Sequence, residues 1–221
     1  MLLKDIKKTF LSNSKALEVA CLLHGLKPVV RQGFYENEIF KVKEFCTKHN
    51  LAFETAPYKI VLADSGLKYS NKGFKVRVED PRKGMFFVYI SKEGNKAVQA
   101  KIFEMKNDHQ RLGKILGYPS CCTEMFVKNE PIRSRLDNDY TACSLDNSKG
   151  NNFSFYTNIF KRSEDIVLLS HFPCSFDCAA SIEIGKKYFR LLAEIDPEMA
   201  KEFSLKLKED LIFKDKNIQF K

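Results

Sequence analysis

No uninterrupted apolar stretch in this chain approaches the roughly 20 residues that a membrane-spanning helix needs. The segment from Met1 to Phe10 also lacks the apolar centre of a secretory leader, because Lys4, Asp5, Lys7 and Lys8 interrupt it. Membrane insertion and export are disfavoured on these grounds, and a soluble, cytoplasmic location is the expectation. There is no internal repeat and no low-complexity tract, so solenoid and linker-like architectures are set aside. A Cys-x2-Cys pair, the usual knuckle of a structural zinc site, is absent as well.

What remains is 221 residues with 44% hydrophobic content, enough for a well-filled core. Seven cysteines, an odd number, accompany no export signal, so reduced thiols or metal ligands are expected in place of a disulfide framework. Cys21 and Cys46 lie in apolar, helical-looking segments and read as small buried hydrophobes. Cys143 lies in a polar stretch that could fold over a site. The other four form two clusters, each just after a proline: Gly117-Tyr118-Pro119-Ser120-Cys121-Cys122 and His171-Phe172-Pro173-Cys174-Ser175-Phe176-Asp177-Cys178.

Proline is tolerated in the first turn of a helix, so both clusters read as helix starts carrying thiols, where the helix dipole favours the thiolate that a metal needs. On a helix Cys174 and Cys178 would project from one face, one turn apart. Cys121 and Cys122 would point about 100° apart and share a centre only through an irregular first turn. The expectation is one site with Cys121, Cys122, Cys174 and Cys178 as candidate ligands, in which the sulfurs of Cys174, Cys178 and at least one of Cys121 and Cys122 lie within about 7 Å of each other. Three ligands would leave an open, catalytic position, whereas four would make a closed staple. The spacings favour an iron–sulfur cluster, with zinc as the alternative cofactor. His171 is a candidate zinc ligand or supporting donor, and Ser181 and Tyr118 stand beside the cysteines as further supporting residues. A cysteine nucleophile with His109 or His171 as its base is a rival reading, as is a thiol/disulfide redox protein.

The organisation is that of a single α+β domain over 1–221, a small antiparallel sheet packed with helices. Residues 1–50 read as helical, with one helix ending at Gly25 and Pro28 and another over Glu36 to His49. Residues 51–92 read as β-rich, with strands at Tyr58 to Ala63, Phe74 to Val78 and Met85 to Ile90 and helices covering one side. Residues 93–130 are helical from about Asn95 to Leu116 and again after Pro119. Residues 131–152 read as a polar loop. Residues 163–213 begin with a strand at Ile166-Val167-Leu168-Leu169, continue with a helix from about Cys174 to Ile195, and end on a helix capped by Asp196-Pro197.

A net charge of +9 points to anionic partners, nucleic acid or a phosphorylated small molecule. Lys68, Lys72, Lys75, Arg77, Arg82 and Lys83, with Tyr69 and Phe74 among them, form a candidate RNA contact, tRNA included. Lysines also keep an exposed sheet edge from aggregating, which is the competing explanation.

Three resemblances bear on this chain. The stretch Cys174-Ser175-Phe176-Asp177-Cys178-Ala179-Ala180-Ser181 resembles the Cys-x3-Cys-x2-Cys signature of radical S-adenosylmethionine enzymes, except that Ser181 stands in the third cysteine's place. The paired motifs Leu116-Gly117-Tyr118-Pro119-Ser120-Cys121-Cys122 and His171-Phe172-Pro173-Cys174 with Cys178 and Ser181, together with the segment Ala16 to Arg31, resemble an uncharacterised family found largely in archaea. That resemblance covers most of the chain and implies one shared cysteine site. There is a fainter likeness to an iron–sulfur protein that transfers an aminoacyl group from tRNA. It implies a transferase acting on a nucleotide or RNA-borne group, against which stands a zinc-stapled, non-catalytic RNA-binding module.

Overall fold

The computed structural model describes residues 3–63, 71–213 and 216–221. Its class is α+β, with a small antiparallel sheet packed with helices. The chain runs α1 (Leu3–Phe10), α2 (Asn13–Leu23), β1 (Val29–Tyr35), α3 (Glu36–Lys48), β2 (Ala52–Thr55), β3 (Lys59–Leu62), β4 (Gly73–Val76) and β5 (Met85–Ser91). It continues with α4 (Gly94–Met105), α5 (His109–Ile115), α6 (Ser120–Leu136), α7 (Thr141–Asp146) and β6 (Asn152–Phe153). Last come α8 (Ala179–Ile195), α9 (Pro197–Leu207), β7 (Leu211–Phe213) and β8 (Lys216–Phe220). Two compact units result, one of 22–118 and 130–139, the other of 1–21, 119–129 and 140–221.

The first, the sheet unit, is built on β5. Strand β1 pairs antiparallel along one edge from Val29↔Ser91 to Tyr35↔Met85, while β2 and β3 share the other edge and β4 lies outermost on β3. Val88, Tyr89 and Ile90 are consecutive and all fully buried, so both faces are covered at β5. Single-sided cover was the expectation, and it holds only toward β4, where Gly73, Phe74 and Lys75 are exposed. On the face carrying Val29 and Tyr89, the core is completed by Ala97 and Ala100 of α4 with Leu112 and Leu116.

That apolar layer contains one ion pair. Arg31 donates through Nε and Nη2 to the carboxylate of Glu104, and its guanidinium lies 3.7 Å from the Phe87 ring centroid. Burial works against both charges, but each partner outweighs it, raising the Arg31 pKa and lowering that of Glu104. The helix expected over Asn95 to Leu116 is two helices, because Asn107 adopts φ 52° and Asp108 then caps α5 by accepting from the Arg111 N–H. Helix α5 ends at Gly117, whose φ of +78° leaves room for Pro28 where a Cβ would meet its ring at 2.9 Å.

The second, the cysteine unit, is held by aromatic packing and side-chain hydrogen bonds. Phe176, fully buried, is ringed by Phe153, Phe160 and Phe220 at centroid distances of 5.4, 5.5 and 5.4 Å. Strand β8 joins β6 in parallel and β7 antiparallel, a small sheet that the hydrophobic pattern did not announce. Asp196 caps α9 through the Met199 N–H, as its Asp-Pro start implies. Gly185 brings α8 against the Tyr156 carbonyl, which a Cβ would meet at 2.7 Å.

Three further expectations in this unit and its flanks are corrected. Residues 131–152 are not one loop: α6 runs on to Leu136, with Pro131 inside it, and Thr141–Asp146 is α7. The Ile166 to Leu169 run is largely buried but irregular instead of a strand, and Arg162 Nη2 reaches the Leu169 carbonyl at 3.4 Å. The helix of the second cluster starts at Ala179, five residues later than expected, because Cys174 to Asp177 turn to insert Phe176 into the aromatic cluster.

Candidate metal centre

Helix α6 begins directly after Pro119, whose carbonyl accepts from the N–H groups of Cys122 and Thr123 at 3.1 and 3.0 Å. Cys121 and Cys122 therefore occupy its first turn, as Pro119 implies, and their sulfurs lie 3.9 Å apart. Cys174 stands in the irregular turn and Cys178 is the N-cap of α8. Cys174 and Cys178 thus do not share a helical face; the turn brings them together instead.

Side chains from the stretch expected to be a loop fix this turn by binding its backbone. The Ser144 hydroxyl donates to the Pro173 carbonyl at 2.6 Å, and Asn147 Nδ2 to the Cys174 carbonyl at 3.0 Å. The Phe176 N–H donates to Ser148 Oγ at 2.8 Å, and Thr157 Oγ1 donates to the Phe176 carbonyl at 2.7 Å. Arg162 Nη2 donates to the His171 carbonyl at 2.8 Å while its guanidinium lies 4.0 Å from the Phe172 ring centroid. The abundance of Ser and Asn there thus has a structural cause: a segment without a ladder must find partners for its backbone groups among side chains.

The four sulfurs all lie within 4.8 Å of one another, inside the expected span, and can hold a metal ion. Cys121 to Cys178 is 3.7 Å and Cys122 to Cys178 is 3.8 Å. A regular tetrahedron of thiolates about 2.3 Å from one zinc ion has edges of about 3.8 Å, which the Cys121, Cys122 and Cys178 sulfurs match, and the Cys174 sulfur lies within 4.8 Å of each of them. In a multi-iron cluster the thiolates bind different irons and spread wider than such an edge.

His171 and Ser181 lie behind this set. His171 is buried, with Nε2 2.9 Å from Ser181 Oγ, which in turn is 3.2 Å from Cys122 Sγ. The Cys174 N–H also donates to Cys122 Sγ, at 3.2 Å. Without metal the thiols titrate unequally. Cys178 is brought down to about 4, chiefly by the hydrogen bond it receives from the Cys122 thiol, with Ser181 helping against burial. Cys122 moves up, first because it donates that bond and then through burial, and burial pushes Cys174 up to about 12. A metal must displace the protons that remain.

The remaining candidates lie elsewhere. Cys21 and Cys46 are buried as expected of small hydrophobes, and Cys143, on α7, is not one of the four clustered sulfurs. Tyr118 and His109 belong to the sheet unit, where Lys27 Nζ lies 4.9 Å from the Tyr118 ring centroid. Of the basic set, Lys68 falls, with Tyr69, outside the described residues. Lys72 donates to the Arg135 carbonyl at 3.2 Å, Lys75 to Asn107 Oδ1 at 3.1 Å, and Arg82 forms a fork with Asp80. Lys75 and Lys83 lie 5.0 and 4.5 Å from the ring centroids of Tyr58 and Tyr35. Arg77 is exposed, and so is Phe74, at 53%. Among the described residues no helix is long and apolar enough to cross a bilayer.

A family described as Protein of unknown function (DUF483) matches residues 95–212, which contain all four clustered cysteines and more than half of the chain. The chain belongs to that family. No curated protein and no solved structure matches it.

Proposed function

We propose that this member of the DUF483 family is a zinc protein in which one ion, bound by Cys121, Cys122, Cys174 and Cys178, staples the 171–178 turn to the start of α6, and that the chain as a whole is a nucleic-acid-binding module. The observation that carries the metal assignment is the set of sulfur separations at 3.7, 3.8 and 3.9 Å, the edge length of a one-ion tetrahedron. When bound, zinc supplies a fixed point charge that holds four thiolates together. The chain's own residues do the rest. Ser181 turns its hydroxyl to Cys122, and His171 holds that hydroxyl.

Four thiolates complete a tetrahedron, which favours a staple over the open-position iron–sulfur transferase that the cysteine spacing suggests. Aerobically and anaerobically purified protein is expected to be colourless with one zinc per chain. Brown protein with acid-labile sulfide would overturn the zinc assignment in favour of a cluster.

Nucleic acid is supported by the charge of +9 and by Phe74, an exposed ring on an edge strand flanked by Lys72, Lys75 and Arg77, an arrangement suited to base stacking beside phosphates. Binding of tRNA or single-stranded RNA should weaken on Lys75→Glu with Arg77→Glu, with a shallower salt dependence, and on Phe74→Ala without one. RNA binding unchanged by all three substitutions would remove this surface from consideration.

A further inference from the structure

The four thiols are not equivalent. Cys122 and Cys178 are buried and Cys174 is half-buried, whereas Cys121 is exposed. Cys122 Sγ has the Cys174 N–H and the Ser181 hydroxyl at 3.2 Å each, and Cys178 receives a hydrogen bond from the Ser181 backbone N–H. The neighbours of Cys121 Sγ are sulfurs, with Cys122 at 3.9 Å and Cys178 at 3.7 Å; among the described residues no N–H or O–H donates to it.

Bound metal keeps a coordinating thiol deprotonated, so all four would be thiolates at neutral pH. Charge-assisted hydrogen bonds draw on the electron pairs of Cys122 and Cys178 and lower their reactivity, while burial denies reagents access to them. Cys121 keeps the lone pairs that do not bind metal free of N–H and O–H donors among the described residues and is exposed. A zinc ion with four thiolates carries two excess negative charges in a partly buried setting, and converting one thiolate to a neutral thioether relieves one of them.

We propose that Cys121, as a metal-bound thiolate, is an acceptor of alkyl groups from soft carbon electrophiles; this rests on the single-ion reading above. The Cys121 sulfur pair attacks the carbon bearing the leaving group. The S–C bond forms as the bond from carbon to the leaving group breaks, and the departing group takes that bond's electron pair. No proton, oxidant or reductant is required, and the resulting thioether is a weaker ligand. Each chain accepts one group.

The test uses the full-length, zinc-loaded chain and substoichiometric iodoacetamide, which delivers a carbamidomethyl group and releases iodide. Quenching in acid and peptide mass analysis locate the label, and zinc is quantified before and after. Cys121 should be labelled about ten times faster than Cys122 and Cys178, the factor expected from a charge-assisted hydrogen bond that those thiolates receive and Cys121 does not, and faster than the less exposed Cys174. One zinc per chain with first labelling at Cys174 or Cys143, or with no preference, would overturn the proposal and leave the metal site standing. Failure to retain stoichiometric zinc would overturn the single-ion reading and this inference with it.

Discussion

In the sheet unit the strands satisfy one another's backbone groups through continuous ladders, and the ion pair set among them, Arg31 with Glu104, is internally paired. The 171–178 turn of the cysteine unit has no ladder. Its carbonyls and N–H groups go one at a time to Ser144, Asn147, Ser148, Thr157 and Arg162, and its four associated thiols lie close enough to repel one another once ionised. A ladder is cooperative and tolerates the loss of one partner. A set of single side-chain contacts around clustered thiols is most stable when a cation neutralises the centre.

The largest expected effect follows from removing that cation. Stripping the metal should cost the cysteine unit on the order of 10 kcal/mol of binding free energy, so amide hydrogen exchange should accelerate at 120–126 and 171–178 while β5 stays protected. Equal acceleration at β5 would break the comparison and show that the two units unfold together. The same centre should lose affinity as pH falls, because Cys122 and Cys174 hold their protons tightly without metal and binding must release them. Competition with a chelator across pH 6 to 8, each about a unit apart, measures this, and a flat profile would contradict it.

Next in size is Glu104→Ala, which strands Arg31 beneath α4 and should cost about 3 kcal/mol in denaturant unfolding while zinc content is unchanged. The folded-state pKa of Glu104 is depressed, so its contribution is present above the unfolded carboxyl value and lost as pH falls through the folded one. Wild type and variant should therefore converge in strong acid, and a difference that persists there would assign the effect to packing.

Ser181→Ala sharpens the comparison inside the cysteine unit. It removes the hydroxyl between His171 and Cys122 and should weaken zinc about 10- to 100-fold in chelator competition with little change in fold. Unchanged affinity would reduce His171 and Ser181 to packing. The smallest effect belongs to Asp165, whose carboxylate accepts from Ser12 Oγ at 2.7 Å and from the N–H groups of Asn13 and Ser14 at the start of α2. Asp165→Ala should cost about 1 kcal/mol, read as a shift in the thermal midpoint, and no shift would mean that water replaces the cap.

Local grammar was legible wherever neighbouring residues decide the outcome. Pro119 placed Cys121 and Cys122 in a first helical turn, Asp196 with Pro197 started α9, and the runs around Lys59 to Leu62, Gly73 to Val76 and Met85 to Ser91 gave the strands. The four cysteines were legible as one site because few other roles suit paired thiols after prolines. Less legible was everything decided by distant partners. Ser144, Asn147 and Ser148 look like loop residues because their targets, the carbonyls and N–H groups of 173–176, lie almost 30 positions away. Asp165 caps a helix some 150 positions earlier, and no local pattern announces it.

The sequence by itself determined the starts of α6 and α9, the strand runs of β3 to β5, the buried character of Cys21 and Cys46 and the identity of the four thiols, since each depends on residue type and short-range spacing. Only the tertiary structure decided that Cys174 and Cys178 meet through a turn instead of a helical face, that the four sulfurs stand within 4.8 Å of one another, and that Cys121 alone of the four is exposed. Those outcomes depend on where Phe176 finds its aromatic neighbours, a long-range packing constraint that overrides the local helical preference of the segment carrying it.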